Sequence, residues 1–424
     1  MKLRMALVFL YLKENRGSFN ALAGALESFD YCADLPVFFI ETKSDLVTRL
    51  PEIIGNYEKV VLGISFATTQ LWDISQLMLL IREICGSDVF CIAGGPHPTG
   101  DPGGTLALGF DLVVRGEGEE VLPDILKALD EDQNPRRLKG VAFLNEQGKY
   151  VFNGQRPPLD LDKYSPFAAQ HDHFGPLEIT RGCSFACCFC QTAHIFPGGV
   201  RHRSIGKIVE LARLMKSKNL YDIRFITSNS FAYGSPDGKE MNLAALTELL
   251  EGLRGVMGSD GRIFIGSFPS EIRPDYISRE TLDIVLKYAD NDNLVIGAQS
   301  GSQRMLDLCR RGHTVEDTLR GVRLTLEAGL KANVDFIFGL PGETLQDMEK
   351  TADLMQQLIA LGARVHAHTF MPLPQTGFAG QEPGRIGKSI QAIGGKWPGR
   401  VYGNWKEQRE MAQKISRYLR EGIM

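Results

Sequence analysis

The sequence has little net charge, no long apolar run and no regular cysteine framework, and each lack removes a class of function. A formal charge of -4 over 424 residues offers no basic surface for phosphates, so nucleic acid is not an expected partner. The apolar run at residues 5–12 leads into Lys13-Glu14-Asn15-Arg16. It is too short to cross a bilayer, and it predicts a buried first strand rather than a signal peptide, with no membrane partner. Eight cysteines at irregular separations do not make a secreted disulfide scaffold and fit a reducing cytoplasm. No G-x-G-x-x-G follows the first strand, which argues against a nicotinamide or flavin dinucleotide site.

A hydrophobic content of 43% supports globular packing, and the length allows two or three cores. Continuously apolar segments at residues 5–12, 35–40, 59–66, 89–93 and 110–114 alternate with helical periods at 19–29, 45–54 and from Leu71 to Ile81, a short helical segment near Thr105, and a closing helix over Val121, Leu122, Ile125, Leu126 and Leu129. That order predicts α/β architecture, a doubly wound parallel sheet over residues 1–137. Such sheets bind ligands beyond the carboxyl ends of their strands. The predicted rim therefore contains Ser65 to Thr69, Gly94-Gly95-Pro96-His97 and Gly116-Glu117-Gly118-Glu119. Loop geometry alone is an equally good reason for the two glycine-rich turns. Residues 138–174 read as a hairpin around Glu146-Gln147-Gly148 followed by a Pro-, Asp- and His-rich connection, in which His171 and His173 are left without a chemical role.

Cys183, Cys187 and Cys190 stand in the spacing C-x3-C-x2-C. Three soft thiolates on one short loop can ligate three irons of a [4Fe-4S] cluster, leaving the fourth iron for a small-molecule ligand. Structural zinc would need a fourth ligand, for which His194 is the candidate, and it usually pairs two C-x2-C units. A dithiol at Cys187 and Cys190 would leave Cys183 unused. Cys188 lies outside the pattern and reads as a packed thiol.

After the loop, strand and helix segments alternate: strands at residues 223–227, 263–268, 294–299, 332–338 and 365–370, with helices at 243–253, 281–286, 315–328 and 345–361. They predict a partial (β/α) barrel over residues 175–377, again with ligands at the strand ends. Residues 378–424 form a small C-terminal extension with a helix at 405–419; packing against the barrel rim is its default role, and covering the substrate side, with Trp397 and Tyr402 lining it, is the functional one.

The cysteine loop with Phe189 before its last cysteine resembles the radical S-adenosylmethionine (SAM) superfamily. Ala93-Gly94-Gly95-Pro96-His97-Pro98 and Val113-Val114-Arg115-Gly116-Glu117-Gly118-Glu119-Glu120 resemble the cobalamin-binding domain that precedes many radical SAM domains. The D-x-H-x-x-G motif that supplies a histidine beneath the corrin is missing. His97 is therefore read as a satisfied loop histidine or a cofactor-tail contact. The resemblance, which covers residues 5 to about 377, implies a cluster on Cys183, Cys187 and Cys190, and corrinoid contacts from Ser65, Thr68, Gly94, Gly95, His97, Gly116 and Glu117. It further implies SAM contacts from Phe189, from Thr227 and Asn229 at the amino group, and from Gln299 and Ser300 at the ribose and carboxylate, with one of Arg310 and Arg311, here Arg310, paired with the carboxylate. Phe336 to Thr344 and His368 to Gly377 continue the likeness.

Those cofactors imply a 5'-deoxyadenosyl radical that abstracts hydrogen from an sp3 carbon, with methylcobalamin as methyl donor and a second SAM restoring it. A one-electron reductant such as ferredoxin or flavodoxin is then a partner. Over its whole length the chain is similar to the archaeal proteins that C-methylate methyl-coenzyme M reductase, which implies a protein or peptide substrate, specifically a glutamine of that enzyme. Two other outcomes stay open: cobalamin-dependent rearrangement or nonradical methyl transfer on a small molecule, and a noncatalytic corrinoid or SAM sensor.

Overall fold

The computed structural model describes residues 2–196 and 198–422. These divide into two compact units, one formed by the chain up to Gly175 with a short stretch around Ile195, the other by Pro176–His194 and the chain from Gly199 onward.

In the first unit, strands β1 (Leu3–Leu10), β2 (Val37–Ile40), β3 (Tyr57–Ser65), β4 (Phe90–Gly94), β5 (Leu112–Val114), β6 (Val141–Leu144) and β7 (Tyr150–Phe152) form one sheet in the order β2-β1-β3-β4-β5-β6-β7. The first five are parallel, the doubly wound order with its switch between β1 and β3. The hairpin β6–β7, expected to be part of a connection, continues the same sheet in antiparallel sense, so the sheet is mixed. Side chains alternate along each strand. Leu7, Phe9, Val61, Ile92 and Leu112 share one core with Phe19 and Ile125 from helices Arg16–Leu26 and Val121–Asp130. Helices Lys43–Asn56 and Leu71–Cys85 bury Leu46, Leu50, Ile74, Met78 and Ile81.

In the second unit, short strands β8 (Leu177–Glu178), β9 (Thr180–Arg181) and β10 (Arg201–His202) flank the cysteine loop; then come β11 (Asp222–Ile226), β12 (Arg262–Phe264), β13 (Asn293–Gln299), β14 (Lys331–Phe338), β15 (Arg364–Thr369) and β16 (Val401–Tyr402). They form parallel sheets β12-β11-β8 and β13-β14-β15-β16, while β9 pairs antiparallel with β10. Helices Ile205–Ser217, Leu243–Met257, Arg279–Tyr288, Val315–Glu327 and Leu345–Leu361 alternate with the strands, giving a partial (β/α) barrel arrangement. Helix starts are encoded locally: Thr344 accepts from the Asp347 backbone N–H while the Asp347 carboxylate accepts from Thr344 N–H, a reciprocal cap. The C-terminal segment does more than cap the barrel, since it supplies β16 beside β15 before helix Trp405–Glu421.

Candidate functional site

In the second unit the chain enters the cysteine loop through β9, where Arg181 grips Glu178 by two hydrogen bonds of 2.8 and 2.7 Å. Gly182 follows at φ +85, and a Cβ there would stand 2.2 Å from the Gly199 carbonyl oxygen, so only glycine fits. Cys187 is buried, whereas Cys183 and Cys190 are part-exposed, and all three are free thiols. Burial pushes the Cys190 thiol up, and its Sγ lies 3.3 Å from the Thr192 hydroxyl. Cys188 turns the other way, into an apolar cluster with Met305, Cys309, Leu340 and Phe370, against which Phe189 also packs.

Polar groups converge on this loop from the ends of neighbouring strands. The buried Arg311 guanidinium donates to Cys187 Sγ at 3.5 Å and to the Gly297 carbonyl at 2.6 Å. Gly297 makes room for the gathering: a Cβ there would meet Gln299 Nε2 and Glu271 Oε2 at 2.9 Å and Arg311 Nη2 at 3.1 Å. Burial pushes the Glu271 carboxyl up and Arg311 offsets part of that shift. The Arg273 guanidinium sits 3.5 Å from the Phe185 ring centroid and donates to Asp275 and to the Arg311 carbonyl.

Asn229 is 4% exposed, and its Oδ1 accepts from the Arg273 backbone N–H at 3.3 Å. That bond fixes the orientation of the amide, because a backbone N–H can only meet the oxygen end. Nδ2 is then a buried donor with no partner among the described residues. A spare donor suits a ligand carboxylate or hydroxyl better than an ammonium.

The remaining expected SAM contacts divide. Gln299 is buried at φ +69, in the irregular register of β13. The Thr227 hydroxyl donates to the Asn229 carbonyl at 3.3 Å, and Ser300 is engaged by Ser302 N–H and Thr351. Arg310 is exposed, while its neighbour Arg311 enters the site. Sequence spacing could not choose between the two arginines, and nothing local marked Glu271; its convergence with Gly297 and Arg311 is a product of strands distant in sequence.

At the rim of the first unit, His97 is fully buried and its Nδ1 lies 3.1 Å from the Thr68 hydroxyl. Burial holds its imidazole down, to about 4. A histidine in this position is neutral and turned into the protein. Gly95 is required by geometry, since a Cβ there would lie 2.6 Å from Ser65 Oγ at φ +94. Gly94 has open space at its Cβ position. Gly116 N–H donates to Thr99 Oγ1 at 3.1 Å, and the Glu117 carboxylate accepts from Leu159 N–H at 2.9 Å. His171 lies 3.1 Å from a Glu27 carboxylate oxygen, and His173 packs on Tyr11 and Phe39.

The three-thiol loop, the cation beside it and the spare Asn229 amide fit a cluster with a small charged ligand. The first rim fits a ligand seated on backbone, with Gly94 open, and offers no surface imidazole at His97. No helix among the described residues is long and apolar enough to cross a membrane.

Comparison with known proteins agrees with this division. Residues 177–355 match the radical SAM superfamily and residues 19–126 the B12 binding domain. An uncharacterized methyltransferase of Pyrococcus horikoshii is 26% identical over 73% of this chain and 66% of its own length. The chain thus spans about two-thirds of the length of the curated relatives it matches. Among solved structures, the radical SAM methyltransferase TsrM from Kitasatospora setae, with cobalamin and a [4Fe-4S] cluster bound, has a TM-score of 0.70 at 16% identity over 90% of this chain and 74% of its own. The cobalamin-dependent SAM radical enzyme OxsB with aqua-cobalamin has a TM-score of 0.65 at 20% identity, over 84% of this chain and 52% of its own. At those identities the likeness is one of fold.

Proposed function

From a chain that joins a B12-binding domain to a radical SAM domain, we infer a cobalamin-dependent radical SAM enzyme that transfers a methyl group to a small molecule. The observation that carries the reading is the meeting of Cys183, Cys187 and Cys190 on one loop with the Arg311 guanidinium, which donates to Cys187. A small-molecule acceptor is favoured because TsrM, similar in fold, was solved with tryptophan as its substrate, and the Pyrococcus relative carries the name of a methyltransferase. The more specific expectation, a glutamine of methyl-coenzyme M reductase, has no observation of its own in support and enters as one arm of the test.

When bound, the cluster with SAM supplies one-electron chemistry and the corrinoid a transferable methyl group. The chain's part is positioning and charge. Cys183, Cys187 and Cys190 would hold the cluster. Arg311 places a fixed positive charge against Cys187, which offsets the thiolates' negative charge. Asn229 Nδ2 and Gln299 would orient the small ligand beside the cluster, and the open backbone around Gly94 would seat the corrinoid.

The test is anaerobic incubation of cluster-loaded protein with methylcobalamin, SAM, reductant and either a panel of small amino acids including tryptophan or the methyl-coenzyme M reductase peptide, read by mass spectrometry. A gain of one methyl by a small molecule, with S-adenosylhomocysteine formed in proportion, is the expected result. Substrate-dependent 5'-deoxyadenosine without methyl gain would replace methyl transfer by rearrangement. Methylation of the peptide alone would restore the protein substrate.

A further inference from the structure

Strand β14 alternates strictly: Ala332, Val334, Phe336 and Phe338 are buried, while Asn333, Asp335 and Ile337 are half-buried on the opposite face. Asp335 pairs in register with His366 on β15, and His368, two residues on, points to the same face. The result is a compact polar group: His366 Nδ1 lies 3.2 Å from Asp335 Oδ1 and 3.1 Å from His368 Nε2. One potential ligand atom from each residue lies within 4.8 Å of the others. The Tyr402 ring stacks on the His366 imidazole at 4.6 Å and 10° and fixes its plane.

Proton counting leaves this group incomplete. Neutral His366 has either a proton or a lone pair at Nδ1. If it donates to Asp335, it has no lone pair for an N–H of His368; if it accepts from His368, it faces the carboxylate lone pair to lone pair. A single Nδ1–H reaches both contacts only by splitting between the carboxylate and an unprotonated His368 Nε2, a weaker three-centre bond, whereas a cation among the three atoms serves both. The separations of 3.2 and 3.1 Å about His366 suit such an ion, because a first-row metal about 2.0–2.2 Å from each donor sets neighbouring donors roughly 2.9–3.5 Å apart.

We propose that Asp335, His366 and His368 form a binding site for a divalent transition-metal ion, separate from the cysteine loop. Two imidazoles and one carboxylate are the donor set of zinc, iron(II) and cobalt(II) sites, and three protein ligands leave coordination positions open to water or to a donor group of a bound molecule. Neither the identity of the methyl acceptor nor the corrinoid enters this assignment. In sequence the three ligands are His-x-His plus an aspartate thirty-one residues earlier, which is why no motif marks them.

The test uses the full chain with its iron-sulfur cluster in place, stripped of loose metal and titrated anaerobically with zinc ions against a chromophoric chelator. About one zinc per chain should bind, beyond an unchanged iron content of about four. Zinc-edge X-ray absorption of that sample should show nitrogen and oxygen neighbours at about 2.0–2.1 Å with imidazole outer-shell scattering. Asp335→Asn, His366→Gln and His368→Gln should each weaken zinc binding by at least about tenfold, since even residues behind metal ligands cost that much. Sulfur neighbours near 2.3 Å would move the zinc to cysteines and overturn the proposal. Failure of the wild-type chain to retain zinc, or retention undiminished in all three variants, would overturn it equally and leave the group a hydrogen-bonded relay.

Discussion

The two strand-end rims are built from similar residue types, yet they spend their polar groups differently. In the first unit, Thr68 and Glu117 are taken up within the rim itself: a hydroxyl beside the His97 Nδ1, a carboxylate on a backbone N–H. In the second, Asn229 keeps a buried donor without a partner, and Arg311, Gln299 and Glu271 gather where Gly297 leaves room. A polar residue at a strand end is therefore not by itself a binding residue. What separates the cases is the unspent hydrogen-bonding capacity left after folding, because an unsatisfied buried donor costs about 1–3 kcal/mol unless a ligand takes it up.

The largest expected effect tests the cysteine side of this contrast. Replacing Cys183, Cys187 and Cys190 together by alanine should abolish iron binding, while Cys188→Ala, in its apolar cluster, should keep the wild-type content of about four irons. Iron and sulfide analysis after anaerobic reconstitution decides it, and full loading of the triple variant would remove the basis of the comparison.

Next in size is Arg311→Met. It removes charged hydrogen bonds to Cys187 and Gly297, which should cost about 1.5–3 kcal/mol of stability and shift the cluster's reduction potential to more negative values. Redox titration monitored by electron paramagnetic resonance reads the second effect. An unchanged potential would make Arg311 a structural brace like Glu117.

On the first rim the sign of a pH effect is informative. Burial lowers the His97 pKa from 6.5 to about 4, so the unfolded chain takes up a proton that the folded rim resists. The stability this contributes is present above pH 6.5 and is lost as the pH falls towards 4. Thermal melts across that window should fall more steeply for the wild type than for His97→Gln. Parallel curves would show that His97 is solvated and available to a ligand.

The smallest effects come from two adjacent glycines. Gly95→Ala meets Ser65 at a positive φ and should cost about 1–3 kcal/mol. Gly94→Ala, with open space, should change stability by less than about 0.5 kcal/mol. If the corrinoid lies on that open backbone, Gly94→Ala weakens methylcobalamin binding at unchanged melting temperature; equal binding would place the corrinoid elsewhere on the rim.

Much of this protein was legible in its sequence because the information is local. Apolar runs separated by helical periods specify strands and helices: residues 345–361 were expected as a helix and form Leu345–Leu361, and the C-x3-C-x2-C spacing puts three thiols on one loop whatever surrounds it. Other features depended on partners remote in the chain. The hairpin β6–β7 joined the first sheet because the edge of β5 was there to pair with, and the C-terminal segment became β16 because β15 offered the other edge. Of two adjacent arginines, Arg311 is the one buried against Cys187 while Arg310 stays exposed, a choice made by the packing around the loop. Asp335, His366 and His368 met only through the register of β14 on β15. Spacing along a chain fixes which side chains share an element; which of them face one another across elements is set by strand register and by the buried polar groups that folding leaves unpaired.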